Sequence, residues 1–277
     1  MREQFSKLAQ TIVSIDALWV FISPLAKLFY LLQVKRNNHE QSVLVKNSEA
    51  WNSLKNLKIL HGPFQAMTYP KADAIGGLPY AKLMGSYEAE LHPTIESIIS
   101  EDYRQVIDVG CAEGYYAVGL AMRLKNSQVI ALDIDPKARA LCSKMAEING
   151  VSDRVEIRQA CTAETLTKMN FDNKSLIISD CESYELELFS KAAIENLRTT
   201  DVLIETHDFM NLEISKELER RFSQTHKVHR IQSIDDIEKA RTYSYPESAN
   251  MNLLEKKALF AEGRPTIMEW LWCKVIN

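Results

Sequence analysis

The sequence contains few cysteines and has no excess of positive charge. Its cysteines are scattered (Cys111, Cys142, Cys161, Cys181 and Cys273), without the paired spacing of a metal site. This usage argues against a disulfide framework and predicts a reducing, cytoplasmic environment. The formal net charge is −4, and the chain shows no basic tract, so nucleic acid is not an expected partner.

A long uninterrupted apolar run is also missing. The most apolar stretch, residues 17–32, contains Pro24 and Lys27 and falls short of the ~20 residues that span a bilayer. It lacks the positive region and cleavage site of a signal peptide. For residues 12–34 we expect a helix buried on the domain or in a homodimer interface. A helix lying in the membrane surface and a true span are the alternatives, and they would make a cytoplasmic protein membrane-associated.

The chain changes character near residue 100. Residues 1–100 show no β–α rhythm and predict a helical and loop extension that serves as a cap, a dimer contact or a membrane contact. Residues 101–277 alternate short apolar runs with helical patterns, which predicts an α/β domain: a Rossmann-like, seven-stranded, mostly parallel sheet with helices on both faces. The predicted strands are 105–109, 128–133, 154–158, 175–180, 201–206, 226–231 and 267–275.

Helices are predicted between these strands and in an insert at residues 233–266. An insertion at the edge of an α/β sheet often carries substrate specificity. The predicted helices are 116–124, 136–149, 187–196, 212–222, 235–240 and 251–261.

A glycine-containing loop, residues 108–114 (DVGCAEG), follows the first strand and precedes a helix. Gly110 and Gly114 allow a sharp turn and a close approach of the backbone to a ligand. The Gly-Lys-Ser/Thr ending of a phosphate-binding P-loop is absent, and the glycine spacing is not that of a dinucleotide fingerprint. The loop therefore favours a nucleotide-like ligand without a pyrophosphate. Asp108 could contact this ligand or cap the loop.

Further polar residues follow the next strands. Asp133 comes about 20 residues after the loop, the distance at which a carboxylate binds ribose hydroxyls. Ile134 beside it could pack on an adenine face, and Cys161-Thr162 would lie at the adenine edge, with Cys161 acting through its backbone. Asp180 ends strand four at the centre of the cleft.

These motifs resemble those of the class I S-adenosylmethionine (SAM)-dependent methyltransferases. Residues 107–117 (IDVGCAEGYYA) are similar to the first motif of that superfamily and closest to its FkbM-like branch, and residues 180–185 (DCESYE) resemble the D-x-E-G-x-E stretch of the branch. Ser183 departs from the usual glycine. The resemblance covers residues 85–275 and implies SAM as cofactor and an acceptor site above strands four and five. The residues expected to contact the donor are Tyr87, Glu88, Asp108, Gly110, Cys111, Ala112, Gly114, Tyr116, Asp133, Ile134, Cys161, Thr162 and Asp180.

The catalytic candidates lie after strands four and five. His207 is the first candidate for a general base, with Asp208 orienting it or binding a metal, and Asp180 is the second. Asp180 and Glu182 could serve as base, as metal ligands or as anchors of the donor's amino group. A divalent ion bridged by Asp180 and Asp208 is a minor alternative, and we expect no metal. Residues 262–265 and Trp270 are weaker candidates for the acceptor pocket.

The expected reaction is methyl transfer from SAM to a hydroxyl group of a small molecule or glycan. Two alternatives stay open from the sequence. One is a peptide or protein methyltransferase, and the other is a SAM-binding interaction protein that has lost catalysis.

Overall fold

The computed structural model describes residues 2–72, 74–75, 78–171 and 174–276. In this part of the chain the strands are β1 (Gln105–Val109), β2 (Gln128–Leu132), β3 (Val155–Arg158), β4 (Ser175–Ser179), β5 (Thr200–Thr206), β6 (His226–Gln232) and β7 (Glu269–Val275). They form one sheet in the order β3-β2-β1-β4-β5-β7-β6, in which β7 runs antiparallel to both of its neighbours, β5 and β6. The predicted Rossmann-like fold is therefore confirmed, and so is its helical N-terminal segment.

Helices cover both faces of the sheet and form most of the N-terminal segment. The α-helices are α1 (Arg2–Ser14), α2 (Asp16–Asn47), α3 (Trp51–Leu54), α4 (Tyr80–Met84), α5 (His92–Ser100), α6 (Tyr115–Arg123), α7 (Pro136–Ile148), α8 (Ala163–Lys168), α9 (Glu185–Leu188), α10 (Lys191–Asn196), α11 (Ile214–Phe222), α12 (Asp236–Thr242) and α13 (Leu253–Phe260). Short 3-10 helices lie at Ala89–Leu91 and Pro246–Ser248.

Two helical predictions need correction. The single helix expected at 187–196 is two helices, because the hydroxyl of Ser190 accepts a hydrogen bond from the Ala193 N–H and starts α10 anew. Helix α8 was not predicted at all. It begins at a capping box in which the Thr162 hydroxyl accepts from the Thr165 N–H.

The core lies on both sides of the sheet, because successive side chains of a strand point to opposite faces. On β1, Val106 belongs to a first hydrophobic cluster, which includes side chains of the N-terminal segment, α5, α6, α7 and α13. Ile107 belongs to a second cluster on the other face, which includes side chains of α8 to α11. Buried side chains before residue 100, among them Leu54, Phe64 and Leu83, belong to the first of these clusters. The later part of the N-terminal segment therefore packs directly over the sheet.

The apolar run in α2 is not buried against the domain. Phe21 is 85% exposed and Leu25 is 68% exposed, and α2 first becomes fully buried at Val45. The expectation that this run is buried on the domain is wrong. The insert between β6 and β7 contains α12 and α13, and α13 packs against α2, α4 and α12.

Candidate functional site

A cavity of about 680 Å³ opens beyond the carboxyl ends of β1, β2, β4 and β5. Open α/β sheets place their ligands at this edge, and cavities of this size hold small molecules and cofactors. Its wall comes from the glycine loop, from the residues that follow each strand, from the N-terminal segment and from the insert. The lining includes Lys82, Tyr87, Asp108, Gly110, Cys111, Ala112, Tyr116, Asp133, Ile134, Cys161, Thr162, Asp180, Glu182, Glu205, His207, Glu262 and Arg264.

The backbone of the glycine loop lies directly against the backbone at Asp180, which follows β4. Gly110 has φ +82°, its N–H donates to the Leu132 carbonyl at 2.8 Å, and a Cβ at this position would lie 1.7 Å from the Asp180 carbonyl oxygen. Only glycine fits there. Gly114 has φ +97° and begins α6, but it does not line the cavity in the described part of the chain.

Asp108 lies buried beneath the loop. Its carboxylate accepts a hydrogen bond from the Ala117 N–H at 2.9 Å and so caps the first turn of α6. Burial raises the pKa of Asp108 to about 7. Cys111 beside it is also buried, and its hydrogen bond with Cys142, together with burial, raises the pKa of its thiol. Cys111 is therefore a neutral packing residue, as a buried thiol usually is.

The second strand ends at the predicted ribose-binding acid. The two carboxylate oxygens of Asp133 accept the N–H of Asp135 at 2.8 Å and the N–H of Ala112 at 2.9 Å, which joins the strand end to the glycine loop. Ile134 is 81% exposed at the rim. Cys161 and Thr162 line the cavity after β3. Burial raises the pKa of the Cys161 thiol to about 11, and Thr162 is the N-cap of α8.

A buried network of charges joins the N-terminal segment, the sheet and the insert. The Arg264 guanidinium donates to Glu88, to Glu205 and, at 2.9 Å, to Glu262. Glu88 also accepts from the Tyr116 hydroxyl, so its carboxylate faces this network while the neighbouring Tyr87 lines the cavity. Because each of the three guanidinium nitrogens donates to a different carboxylate, Arg264 ties the insert to the N-terminal segment and to the sheet.

This network holds more carboxylates than cations, even though the buried ammonium of Lys239 also pairs with Glu262. Burial raises the pKa of Glu88 to about 7, although Arg264 opposes the change. The pKa of Glu205 rises to about 8, through burial and then through Asp180, again against Arg264. Sequence reasoning placed Arg264 in a weaker set of candidates and did not foresee its partners, because Glu88 lies 176 residues away. Trp270 of that set is fully buried and belongs to the core.

His207 lies at the centre of a group of carboxylates. Its Nδ1 lies 2.6 Å from a Glu185 oxygen, and its Nε2 lies 3.5 Å from Asp180, 3.6 Å from Glu182 and 4.0 Å from Glu205. Burial lowers the pKa of His207, but the hydrogen bond with Glu185 and the nearby carboxylates outweigh this and raise it to about 9. Glu185, which is fully buried, was missed as a site residue although it ends the DCESYE stretch.

Asp180 presents a carboxylate to the cavity. Its Oδ1 is buried and has no hydrogen bond among the described residues. Burial raises the pKa of Asp180 to about 6, and the positive charge on His207 limits that rise. Asp180, Glu205 and His207 bring possible metal-ligand atoms within 4.8 Å of one another.

Asp208 lies apart from this group. One of its oxygens accepts from the Ser215 N–H at 2.9 Å and the other from the Thr206 hydroxyl at 3.2 Å, so it caps the start of α11. Asp208 lines a second, smaller cavity, and the structure brings it neither to Asp180 nor to the ring of His207. The arrangement therefore does not provide the ion bridge between Asp180 and Asp208 that was considered from the sequence.

The comparison with protein families identifies the class. Residues 100–250, more than half of the chain, match the family described as "Methyltransferase domain". The chain belongs to this family of methyltransferases. SAM is the methyl donor of the family. The match identifies the methyltransferase family but does not confirm the FkbM-like branch.

Curated relatives match a short part of the chain. A ribosomal protein L11 methyltransferase of Actinobacillus pleuropneumoniae is 43% identical over 54 residues, which are 20% of this chain and 18% of that protein. The same enzyme of Vibrio parahaemolyticus is 40% identical over 72 residues, 24% of each chain. The chain thus spans less than a quarter of the length of these relatives.

Solved structures are similar at a low level. The O-methyltransferase TomG from Streptomyces achromogenes, involved in tomaymycin synthesis and in complex with SAM, has a TM-score of 0.47 and 10% identity, covering 67% of this chain and 81% of that chain. The O-methyltransferase from Bacillus cereus in complex with SAH has a TM-score of 0.40 and 16% identity, covering 50% and 71%. At this level neither comparison identifies the acceptor.

Proposed function

We propose that this methyltransferase transfers the methyl group of SAM to a hydroxyl group of a small molecule or glycan. The observation that carries the proposal is the buried Asp180 Oδ1, which has no hydrogen bond among the described residues and lies beside the His207 ring, directly beyond the glycine loop. A hydroxyl acceptor needs a proton acceptor next to its attacking oxygen, and a positioned base contributes a factor of ~10²–10⁴.

The donor half of the cavity fits SAM. The backbone of Gly110 and Ala112 would approach its methionine part, and Asp133 would accept hydrogen bonds from its ribose hydroxyls. Ile134 and the Cys161-Thr162 backbone would flank the adenine. When bound, SAM supplies a methyl group on a positively charged sulfur, so the protein mainly aligns the acceptor with that carbon.

We assign the proton transfer to Asp180 and a positioning role to His207. Because the pKa of His207 is about 9, its imidazole is charged near neutral pH and has no free lone pair to offer. Asp180, with a pKa of about 6, is mostly ionised at the same pH. The imidazolium, itself held by Glu185, would keep the Asp180 carboxylate in place while it takes the proton of the acceptor hydroxyl.

We name the part of the cavity lining that contains Asp180, Glu205, His207 and Arg264 the acceptor wall. Its charges favour an acceptor without a phosphate or carboxylate near the methylated atom. The guanidinium of Arg264 is already bonded to three carboxylates, and the imidazolium of His207 lies among four. Lys82, which also lines the cavity, pairs with Glu113 at 2.5 Å, so no cation of the described lining is left for an anionic substituent. A buried unpaired charge is costly, so a neutral acceptor such as a polyol fits better.

The experiment has a binding part and a transfer part. Calorimetry with SAM and with its demethylated product tests the donor site. A screen with radiolabelled methyl donor against sugars, glycans, lipids and peptides, in neutral and phosphorylated pairs, then tests the acceptor. Exclusive labelling of peptides would support the protein methyltransferase alternative, and binding without any transfer would support the non-catalytic one.

Two matched variants test the site itself. Asp180→Asn should lower the transfer rate by ~10²–10⁴-fold while leaving the affinity for the demethylated product within a few fold. Asp208→Asn is the control, because it makes the same chemical change two residues beyond β5 on the other side of the strand, and asparagine can still cap α11. Equal activity of the two variants would refute the role of Asp180.

A further inference from the structure

The N-terminal half of α2 exposes a large apolar surface. Eleven large apolar side chains between residues 18 and 34 are exposed, from 36% at Val34 to 85% at Phe21. The mean hydropathy of the most apolar window of this helix is 1.6, and none of that window is buried. A soluble monomer rarely exposes a contiguous apolar patch of this kind, so this surface requires a partner.

The exposed side chains surround the helix. Successive residues of an α-helix point about 100° apart, so four consecutive residues point to all sides. Residues 18–21 are all large, apolar and exposed, and so are residues 28–32. Helix α1 packs against α2, yet only Ile22, Ser23 and Ala26 of this region are half-buried.

This distribution decides between a protein partner and a lipid one. A partner helix, including that of a second copy, covers one stripe and would leave the other sides of α2 in water. A hydrocarbon solvent covers all sides at once. A helix lying in the membrane surface would instead need one polar face, and α2 has none along residues 28–32.

Length and charge agree with a bilayer. Residues 17–34 extend over about 27 Å, close to the ~30 Å of a hydrocarbon core. Lys35 and Arg36 follow at once, on the side of the methyltransferase domain, where they can meet anionic headgroups, although Arg36 also pairs with the exposed Glu40 at 2.6 Å. Lys27 lies about 12 Å before Lys35 along the helix, so its ammonium would lie within the hydrocarbon and makes the insertion less favourable.

We propose that α2 inserts its residues 17–34 into a lipid bilayer with anionic headgroups and holds the methyltransferase domain at the membrane surface. The proposal is independent of the acceptor, because none of its observations involves the cavity. The domain end of α2 is anchored at Val45, so the catalytic body would lie close to the headgroups.

The test is flotation of the full chain with vesicles of phosphatidylcholine, with and without phosphatidylglycerol. The variant Phe21→Asp/Phe29→Asp changes two exposed side chains and should lower the bound fraction by more than ~100-fold, because a buried carboxylate opposes insertion. Leu253→Asp/Leu254→Asp, on exposed leucines of α13, is the matched control and should float like the wild type. Far-ultraviolet circular dichroism checks that each variant is folded.

The expected result is flotation of the wild type, stronger with phosphatidylglycerol at low salt. Analytical sedimentation without lipid measures the oligomeric state and distinguishes the two outcomes that would contradict the proposal. A concentration-dependent dimer that the Phe21→Asp/Phe29→Asp variant dissociates, with no flotation, would assign α2 to a second copy and overturn the proposal. A soluble monomer that stays at the bottom of the gradient with both vesicle types would overturn it as well.

Discussion

Replacing His207 by glutamine tests which group takes the proton from the acceptor. Asp180 accepts a proton only when it is ionised, that is, above its pKa of about 6. His207 accepts a proton only when it is neutral, that is, above its pKa of about 9. The two assignments therefore predict different dependences of kcat/KM on pH, because this constant reports the free enzyme.

The two pKa values determine how far the two predicted pH dependences of kcat/KM differ. At pH 7 a group with a pKa of 6 is about 90% ionised, whereas a histidine with a pKa of 9 is about 1% neutral. With Asp180 as base, kcat/KM should rise through pH 6, stay level, and fall above pH 9 as His207 loses the charge that positions the carboxylate. With His207 as base it should rise about 50-fold between pH 7 and 9, because the neutral fraction goes from about 1% to about 50%.

The assay is methyl transfer at subsaturating acceptor from pH 5 to 10, for the wild type and for His207→Gln. The variant should lose the fall above pH 9. Its rise should move to a pH above 6, because the charge on His207 holds the pKa of Asp180 down. A wild-type rate that climbs continuously to pH 9, together with a variant that is inactive at every pH, would refute the assignment to Asp180.

Three further changes test the packing around the site by urea unfolding. Gly110→Ala should destabilise the protein by more than ~2 kcal/mol and abolish SAM binding, because the methyl group would collide with the Asp180 carbonyl and the backbone has positive φ. Ser183→Gly should stabilise it by roughly 0.5–1 kcal/mol, because φ is +76° there, whereas Ser183→Ala should change little. Arg264→Met should cost ~3–5 kcal/mol, more at pH 9 than at pH 6, since its buried carboxylate partners have raised pKa values and must then ionise unpaired. An equal loss at both pH values would contradict the last prediction.

The sheet could be predicted because its chemistry is local. Each inner strand is a short apolar run buried on both faces, and such runs lie between turn residues, so the strand bounds were right to within one or two residues. The glycine loop was recognisable for the same reason: the positive φ at Gly110 and at Gly114 is a property of single residues. The break at Ser190 was not predicted, because a single capping residue is a weaker sequence signal than the helical pattern that surrounds it.

The acceptor side could not be predicted from neighbouring residues. His207 and Asp208 are adjacent in the sequence, and both were expected over the cleft. At the end of β5 side chains alternate, so Glu205 and His207 point into the main cavity whereas Thr206 and Asp208 point into the second one. Alternation is evident from the sequence, but which of the two sets faces the ligand depends on how the sheet packs.

The sequence by itself determined the α/β sheet and the glycine loop after β1, since apolar periodicity and glycine placement act over a few residues. The methyltransferase class was indicated by the resemblance of its motifs to those of the SAM-dependent methyltransferases. Only the tertiary structure decided three other features. It exposed the apolar run of α2 on all sides, it joined Glu88 to Arg264 across 176 residues, and it gave His207 the buried Glu185 as its partner. Burial, contact and charge pairing depend on segments that are distant in the chain, so no local pattern could have shown them.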